Sequence, residues 1–275
     1  MGNLEHVEGT LNYLDPNSEK PVTYMYRPPE GVPARSGKYV KHTMPIYNAR
    51  AIADQLSVDR QGFALVHHRS SVMNFYDDRQ VRAVYYPEVE RLVKQVTGAV
   101  KVHVFDYNVR NREMARRGEK GIQEPVRVAH NDYTLKSGPQ RVRDLLPDEA
   151  GELLKHRFAV INVWKPIRGP VRESPLAVCD AGSMTQRDFV EQDLRYRDRT
   201  GEVYSILHNP AHRWFYFPEM REDEVLLLKC YDSDPSKTRF TAHSAFEDPT
   251  SPPDAPPRES IEVRTLVFFK AGNKS

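Results

Sequence analysis

Phe158-Ala159-Val160-Ile161-Asn162-Val163-Trp164 is apolar at every position but Asn162 and is closed by Lys165-Pro166. A short apolar run, rich in β-branched and aromatic residues and ended by proline, reads as a strand. The same signature returns downstream at Leu176–Asp180, Val203–Leu207, Trp214–Phe217, Glu224–Asp232 and Ile261–Phe269. Loops separate these runs, and few helical patterns intervene after residue 155. That succession argues an antiparallel β-sandwich or jelly roll. Proline outnumbers glycine, 21 to 14. Prolines are excluded from central strands and helices, so the chain must carry many loops.

Upstream the pattern changes. Residues 1–45 are polar and proline-broken, with Thr23-Tyr24-Met25-Tyr26 as a short strand, and read as an arm over the core or a partner. Residues 48–57 read as a helix capped by Asn48, with Ile52 and Leu56 on one face. Gly62–His68 reads as a buried strand; its adjacent His67 and His68 face opposite ways and are taken as structural. Residues 77–97 form the clearest helix, with apolar residues near a 3.6 period and Pro87 as an interruption. Val100–Val109 alternates as a half-buried strand, with His103 and Tyr107 on one face and Val102, Val104 and Asp106 on the other. The basic stretch from Arg110 to Lys120 reads as a solvated loop, or alternatively as a cationic lip for acidic substrates. A short helix or loop segment is expected over 140–154. There is no internal repeat and no second core beyond a linker. One domain is therefore expected over 1–275, with 1–100 as a helical and arm region packed on a core of 100–270.

Composition narrows the function. Hydrophobic residues make up 39% and charged residues 28%, enough for a sizeable core in a globular chain. A net charge of +2 gives no argument for nucleic acid or a membrane surface. No apolar run approaches a membrane span, and the N-terminus lacks a signal-peptide pattern. Two cysteines, Cys179 and Cys230, in no Cys-x-x-Cys pair suggest a reducing cytoplasm and no thiolate zinc site.

The chemistry begins at Val128-Ala129-His130-Asn131-Asp132-Tyr133. On an extended strand residues two apart share a face, so His130 and Asp132 can reach one ion. A His-x-Asp pair and one distant histidine make a two-His-one-carboxylate face, which holds non-haem Fe(II) and leaves positions open for substrate and oxygen. His243 lies far downstream in the apolar and hydroxyl setting Phe240-Thr241-Ala242-His243-Ser244. His212, after Pro210, is the rival and reads as structural or as a donor to a ligand. Arg258 and Ser260, two apart at the start of the last strand, would make a clamp for a carboxylate. Arg264 shares their parity and competes for that role.

Several segments resemble the Fe(II)- and 2-oxoglutarate-dependent oxygenases, and within them the gibberellin desaturase-like and cephamycin 7α-hydroxylase-like group. They are His130-Asn131-Asp132, Ile161–Pro166, Pro175-Leu176-Ala177, Asn209–Trp214, Asp223-Glu224-Val225, Lys229–Ser233, Arg239–Phe246 and Pro256–Arg264. The resemblance spans residues 130 to 265, and residues 1–100 match only loosely. It implies a double-stranded β-helix (jelly roll, cupin-like), mainly β with flanking helices. It implies iron on His130, Asp132 and His243, and 2-oxoglutarate held at its far carboxylate by Arg258 with Ser260, Arg264 remaining the alternative. Asn162 and Trp164 are expected to line that pocket. With O2 as oxidant, the expected reaction is hydroxylation, desaturation or oxidative cyclisation of a small molecule, in secondary metabolism. Selectivity is expected from the less family-like part, with Tyr24, Tyr26, Phe75, His103 and Tyr107 as substrate contacts. A homodimer is an open expectation. The alternatives are a non-catalytic jelly roll that binds a ligand or partner, and a zinc hydrolase; the latter lacks a His-Glu-x-x-His motif.

Overall fold

The computed structural model describes residues 4–270. Its strands are β1 (His6–Leu14), β2 (Val22–Tyr24), β3 (Tyr39–Asn48), β4 (Phe63–His67), β5 (Lys101–Asn111), β6 (Ile122–Gln123), β7 (His130–Asn131), β8 (Phe158–Arg168), β9 (Leu176–Cys179), β10 (Phe189–Arg195), β11 (Thr200–Ile206), β12 (Trp214–Tyr216), β13 (Glu224–Asp232), β14 (His243–Ala245) and β15 (Glu259–Phe268). They form a nine-stranded sheet, β1-β3-β12-β9-β14-β7-β11-β10-β2, and a six-stranded sheet, β4-β13-β8-β15-β5-β6. The fold is the expected jelly roll: two curled, largely antiparallel sheets face each other across the main core. Trp164, Leu228 and Leu266 from the smaller sheet meet Ile46, Val178 and Trp214 from the larger.

Why the opening run is apolar without alternation now has a cause. Phe158, Val160 and Trp164 point into the main core. Ala159, Ile161 and Val163 point the other way, into a second core beneath the helix Tyr86–Thr97. A strand covered on both faces needs apolar residues at both parities. β13, buried along its whole length, obeys the same rule. Each of its fully buried leucines contributes about 1.5–3 kcal/mol relative to an exposed one.

The helical stretch is present, with its interruption. Asp77 accepts the Arg79 amide at the start, and Gly98, in the left-handed region, ends it. A π-helical turn over Val81–Tyr85 stands immediately before Pro87. Proline has no N–H for the regular ladder, and a wider turn ahead of it absorbs the mismatch.

The N-terminal region differs from the expectation. The two ends of this stretch are not an arm but strands β1 and β3, paired antiparallel from His6↔Tyr47 to Leu14↔Tyr39. Their inward side chains include Leu11, Tyr13, Met44 and Ile46, all buried, while polar residues alternate outward. Alternation at period two carries a strand even when overall polarity is high. Residues 50–55 form a short 3-10 turn rather than a ten-residue helix; Asn48 still accepts the Arg50 amide.

Candidate active site

β7 and β14 bring the two distant histidines together. They are direct antiparallel neighbours in register, His243 opposite His130, with ring centroids 4.4 Å apart. Asp132 follows β7 by one residue. One ligand atom from each of His130, Asp132 and His243 lies within 4.8 Å of the others. His130 Nδ1 is 2.8 Å from the Val128 carbonyl, and His243 Nδ1 is 3.2 Å from the Thr241 carbonyl. A carbonyl only accepts, so each Nδ1 carries a proton, and the neutral form of either ring has its lone pair on Nε2. Burial, then the neighbouring His243, pushes the His130 imidazolium down to about 4, which keeps that ring neutral near pH 7.

Asp132 is held from behind. Its Oδ2 accepts from Asn162 Nδ2 at 2.7 Å and from Arg264 Nε at 3.3 Å. Its Oδ1 is turned to His130 Nε2, 3.5 Å away. Burial resists ionisation of this carboxyl, but Arg264, the two imidazoles and the Asn162 bond outweigh it and hold it well below the usual range. The set is thus two imidazoles whose Nδ1 protons are spent on carbonyls, with Nε2 turned to the centre, and one ionised carboxylate with one free oxygen. That is the donor chemistry a divalent non-haem iron takes.

The arginine rivals separate on partners rather than parity. Arg264 is engaged at Asp132 and again at Asp106, whose oxygens lie 3.2 and 3.1 Å from its Nη1. Arg258 is 3% exposed, donates from Nη1 to the Ser174 carbonyl at 2.6 Å, and has an orphaned Nε. Ser260 Oγ is buried and orphaned as well. Burial, then repulsion from Arg110, brings the Arg258 guanidinium down to about 9. A buried cation and a hydroxyl with unmet hydrogen bonds fit a carboxylate ligand. Trp164 lies beneath Arg258, its ring centroid 5.5 Å from the guanidinium carbon. Asn162, expected along the pocket, instead serves Asp132, and its own Oδ1 has no partner among the described residues.

A cavity of about 1010 Å³ opens onto His130, Asp132 and Arg264. Its walls come from β5, the loop after β2, the β10–β11 hairpin and the helix Ser137–Leu145. None of the five expected substrate contacts lines it. Met25 and Thr23 face the cavity, whereas Tyr24 and Tyr26 pack edge to face, with Arg195 over Tyr24 and Arg197 over Tyr26. Phe75 is buried edge-on against Tyr85 in the second core. The expected shared face of His103 and Tyr107 is broken by a bulge at Phe105: Arg264 pairs with Asp106 but Thr265 with Val104. Tyr107 turns outward to Asp78, at 2.9 Å, and His103 pairs with Leu266 beyond the cavity.

Arg110 is expected at the start of a solvated loop, with a cationic lip as the alternative. It extends β5 and lines the cavity rather than a solvated loop. The same-face series Asp106-Asn108-Arg110 was the available signal. His212 is structural, with Tyr13 and Asp188 each 3.2 Å from its two ring nitrogens.

Comparison with known proteins follows the same lines. Residues 11–268 match the family described as "Oxidoreductase/YMDC permease-like domain". No helix among the described residues is long and apolar enough to cross a membrane. The Fe(II)/2-oxoglutarate-dependent dioxygenase nvfI of Aspergillus novofumigatus (strain IBT 16806) is 32% identical, covering 98% of this chain and 99% of its own length. The hydroxylase/desaturase CTB9 of Cercospora beticola is 36% identical over 85% of this chain and 78% of its own. A solved structure of the iron and alpha-ketoglutarate-dependent endoperoxidase NvfI superposes with a TM-score of 0.86 at 29% identity, over 96% of this chain and 98% of that one.

Proposed function

Because the chain belongs to the Fe(II)- and 2-oxoglutarate-dependent dioxygenases, we propose that His130, Asp132 and His243 hold the iron and that Arg258 with Ser260 holds 2-oxoglutarate. The enzyme oxidises a small molecule, as its relatives in fungal secondary metabolism do. The observation that carries the residue assignment is the arrangement of proton and lone pair. Both Nδ1–H groups are spent on backbone carbonyls, and both Nε2 atoms and one Asp132 oxygen are left for a single ion.

When bound, iron with 2-oxoglutarate and O2 supplies the oxidising power for an unactivated C–H bond, as 2-oxoglutarate becomes succinate and carbon dioxide. The chain supplies position and electrostatics. Asn162 and Arg264 fix Asp132 so that one oxygen stays turned inward. Arg258, desolvated and short of acceptors, supplies a charge-assisted contact to the far carboxylate, and Ser260 adds an O–H. Trp164 packs beneath that guanidinium and keeps water from it. The cavity then decides which substrate carbon faces the centre, and so whether hydroxylation, desaturation or cyclisation results. The proposal includes no nucleic-acid or membrane partner and allows a homodimer. Cytoplasmic location is part of it, supported by two buried, unpaired thiols.

The test is succinate release from 2-oxoglutarate across a panel of candidate small molecules, with iron present and withheld. Iron-dependent succinate formation that rises with one substrate class is expected. No succinate from wild-type protein loaded with iron would remove the assignment.

A further inference from the structure

The cavity holds more positive charge than its acids account for. Arg264 is tied to Asp106 and Asp132, and Lys20 to Asp193 at 2.6 Å. Glu202 accepts from Thr134 and lies 3.9 Å from the same Lys20, and Asp144 accepts from Gln140. Arg35, Arg110, Lys136, Arg141 and Arg199 line the cavity with no carboxylate within ion-pair distance among the described residues; around Arg110, Glu262 and Asp132 offset part of the repulsion from Arg264 and Arg35. Arg110 is held at one end only. Its Nη1 donates to Gln123 Oε1 at 3.1 Å and to the Glu124 carbonyl at 2.8 Å. Its Nε and Nη2 meet no protein acceptor among the described residues. Those two atoms form the edge of a guanidinium that matches a carboxylate with two parallel bonds.

Arg110 stands beside the proposed 2-oxoglutarate clamp, opposite Ser260 across β5 and β15, but it opens onto a different wall. Arg258 is not on the wall of this cavity, whereas Arg110 shares the wall with His130 and Asp132. Around it the lining mixes Val126, Val128, Leu194, Tyr133 and Tyr39 with polar groups. A volume of about 1010 Å³ is at the upper end for a small-molecule site and admits a bulky, ring-containing body.

We propose that Arg110, assisted by Arg35 at the mouth, binds a carboxylate on the organic substrate, so that the substrate is a bulky organic acid anchored at one end with its reacting carbon toward His130 and Asp132. This rests on the reading of those residues as the iron centre. Two unpaired guanidinium groups facing one space repel each other, and an anion between them turns that repulsion into attraction.

The experiment uses full-length protein loaded with Mn(II), which sits in such sites without turnover, and saturating 2-oxoglutarate, so that the co-substrate clamp is filled. Anthracene-9-carboxylate and its uncharged carboxamide are titrated in parallel and followed by ligand fluorescence. The acid is expected to bind wild type at least about tenfold tighter than the amide, the range of a charge-assisted paired contact. Arg110→Gln should bring the two within about twofold, and Arg35→Gln should narrow the gap in part. Mn(II) content and 2-oxoglutarate affinity should stay unchanged in both variants. Equal binding of acid and amide by wild type overturns the proposal. So does a preference that survives Arg110→Gln, or a matching fall in 2-oxoglutarate affinity, which would move Arg110 into the co-substrate clamp. Wild-type protein that takes up neither Mn(II) nor 2-oxoglutarate overturns the metal centre instead, while an Arg110-dependent preference in that same protein still supports the anion site.

Discussion

Arg258 immediately precedes β15 and Arg264 lies within it, and their partners divide their work. Arg264 neutralises Asp106 and braces the outer oxygen of Asp132. Arg258 has an unmet donor in a buried site. Removing a buried charged partner costs about 2–5 kcal/mol, so Arg258→Ala is expected to raise the 2-oxoglutarate dissociation constant more than tenfold and leave iron affinity in place. Arg264→Ala should do the reverse, weakening iron by about 10–100-fold, as loss of a ligand's supporting partner does. Calorimetric titration of each ligand into each variant checks this; the opposite ordering would exchange the two roles. At this scale the pairing of His130 with Asp132 was legible because His-x-Asp parity is a local property. The role of Asn162 was not, since its contact with Asp132 joins residues on different sheets. Nor were the expected substrate aromatics, because side-chain direction depends on pairing that residue types alone do not specify.

Among the elements, the short segment before β4 bears on the metal site most indirectly. Gly62 has a φ of +92°, and a Cβ there would run into Thr241 Oγ1. Thr241 in turn donates to the Gly62 carbonyl at 2.9 Å and offers its own carbonyl to His243 Nδ1. Gly62→Ala is therefore expected to cost about 1–3 kcal/mol in backbone strain alone, with iron affinity falling as Thr241 shifts. Gly98→Ala, also at positive φ but with open space around its Cβ, should cost stability without touching iron. Thermal melts and iron titrations of the pair distinguish them; equal iron loss in both would deny the link through Thr241. β8 and β13 could be read from their apolar runs alone. β1 and β3 could not, because Gly9, Thr10 and Asn12 dilute the alternation that Leu11 and Tyr13 carry. The Phe105 bulge escaped for a different reason: one extra residue reverses every later face and leaves no mark in composition.

Across the whole molecule, the site exists only because of long-range order. β14 slots between β9 and β7, and β7 between β14 and β11, so four well-separated stretches of chain meet at the two histidines. Strand content and a jelly roll were readable, since runs and turns are local. The order of the sheets was not, nor was the parallel seating of β12 beside β3, which encloses the core from the N-terminal side. This order is what turns a weak His-x-Asp pair into a three-residue centre. The most direct test is equilibrium dialysis against Fe(II) with 2-oxoglutarate, oxygen excluded, on wild type and Asp132→Ala side by side. The account predicts about one iron bound per wild-type chain and almost none in a variant that still melts cooperatively, since both imidazoles remain but the charged ligand is gone. An Asp132→Ala protein that kept a full equivalent of iron would contradict it.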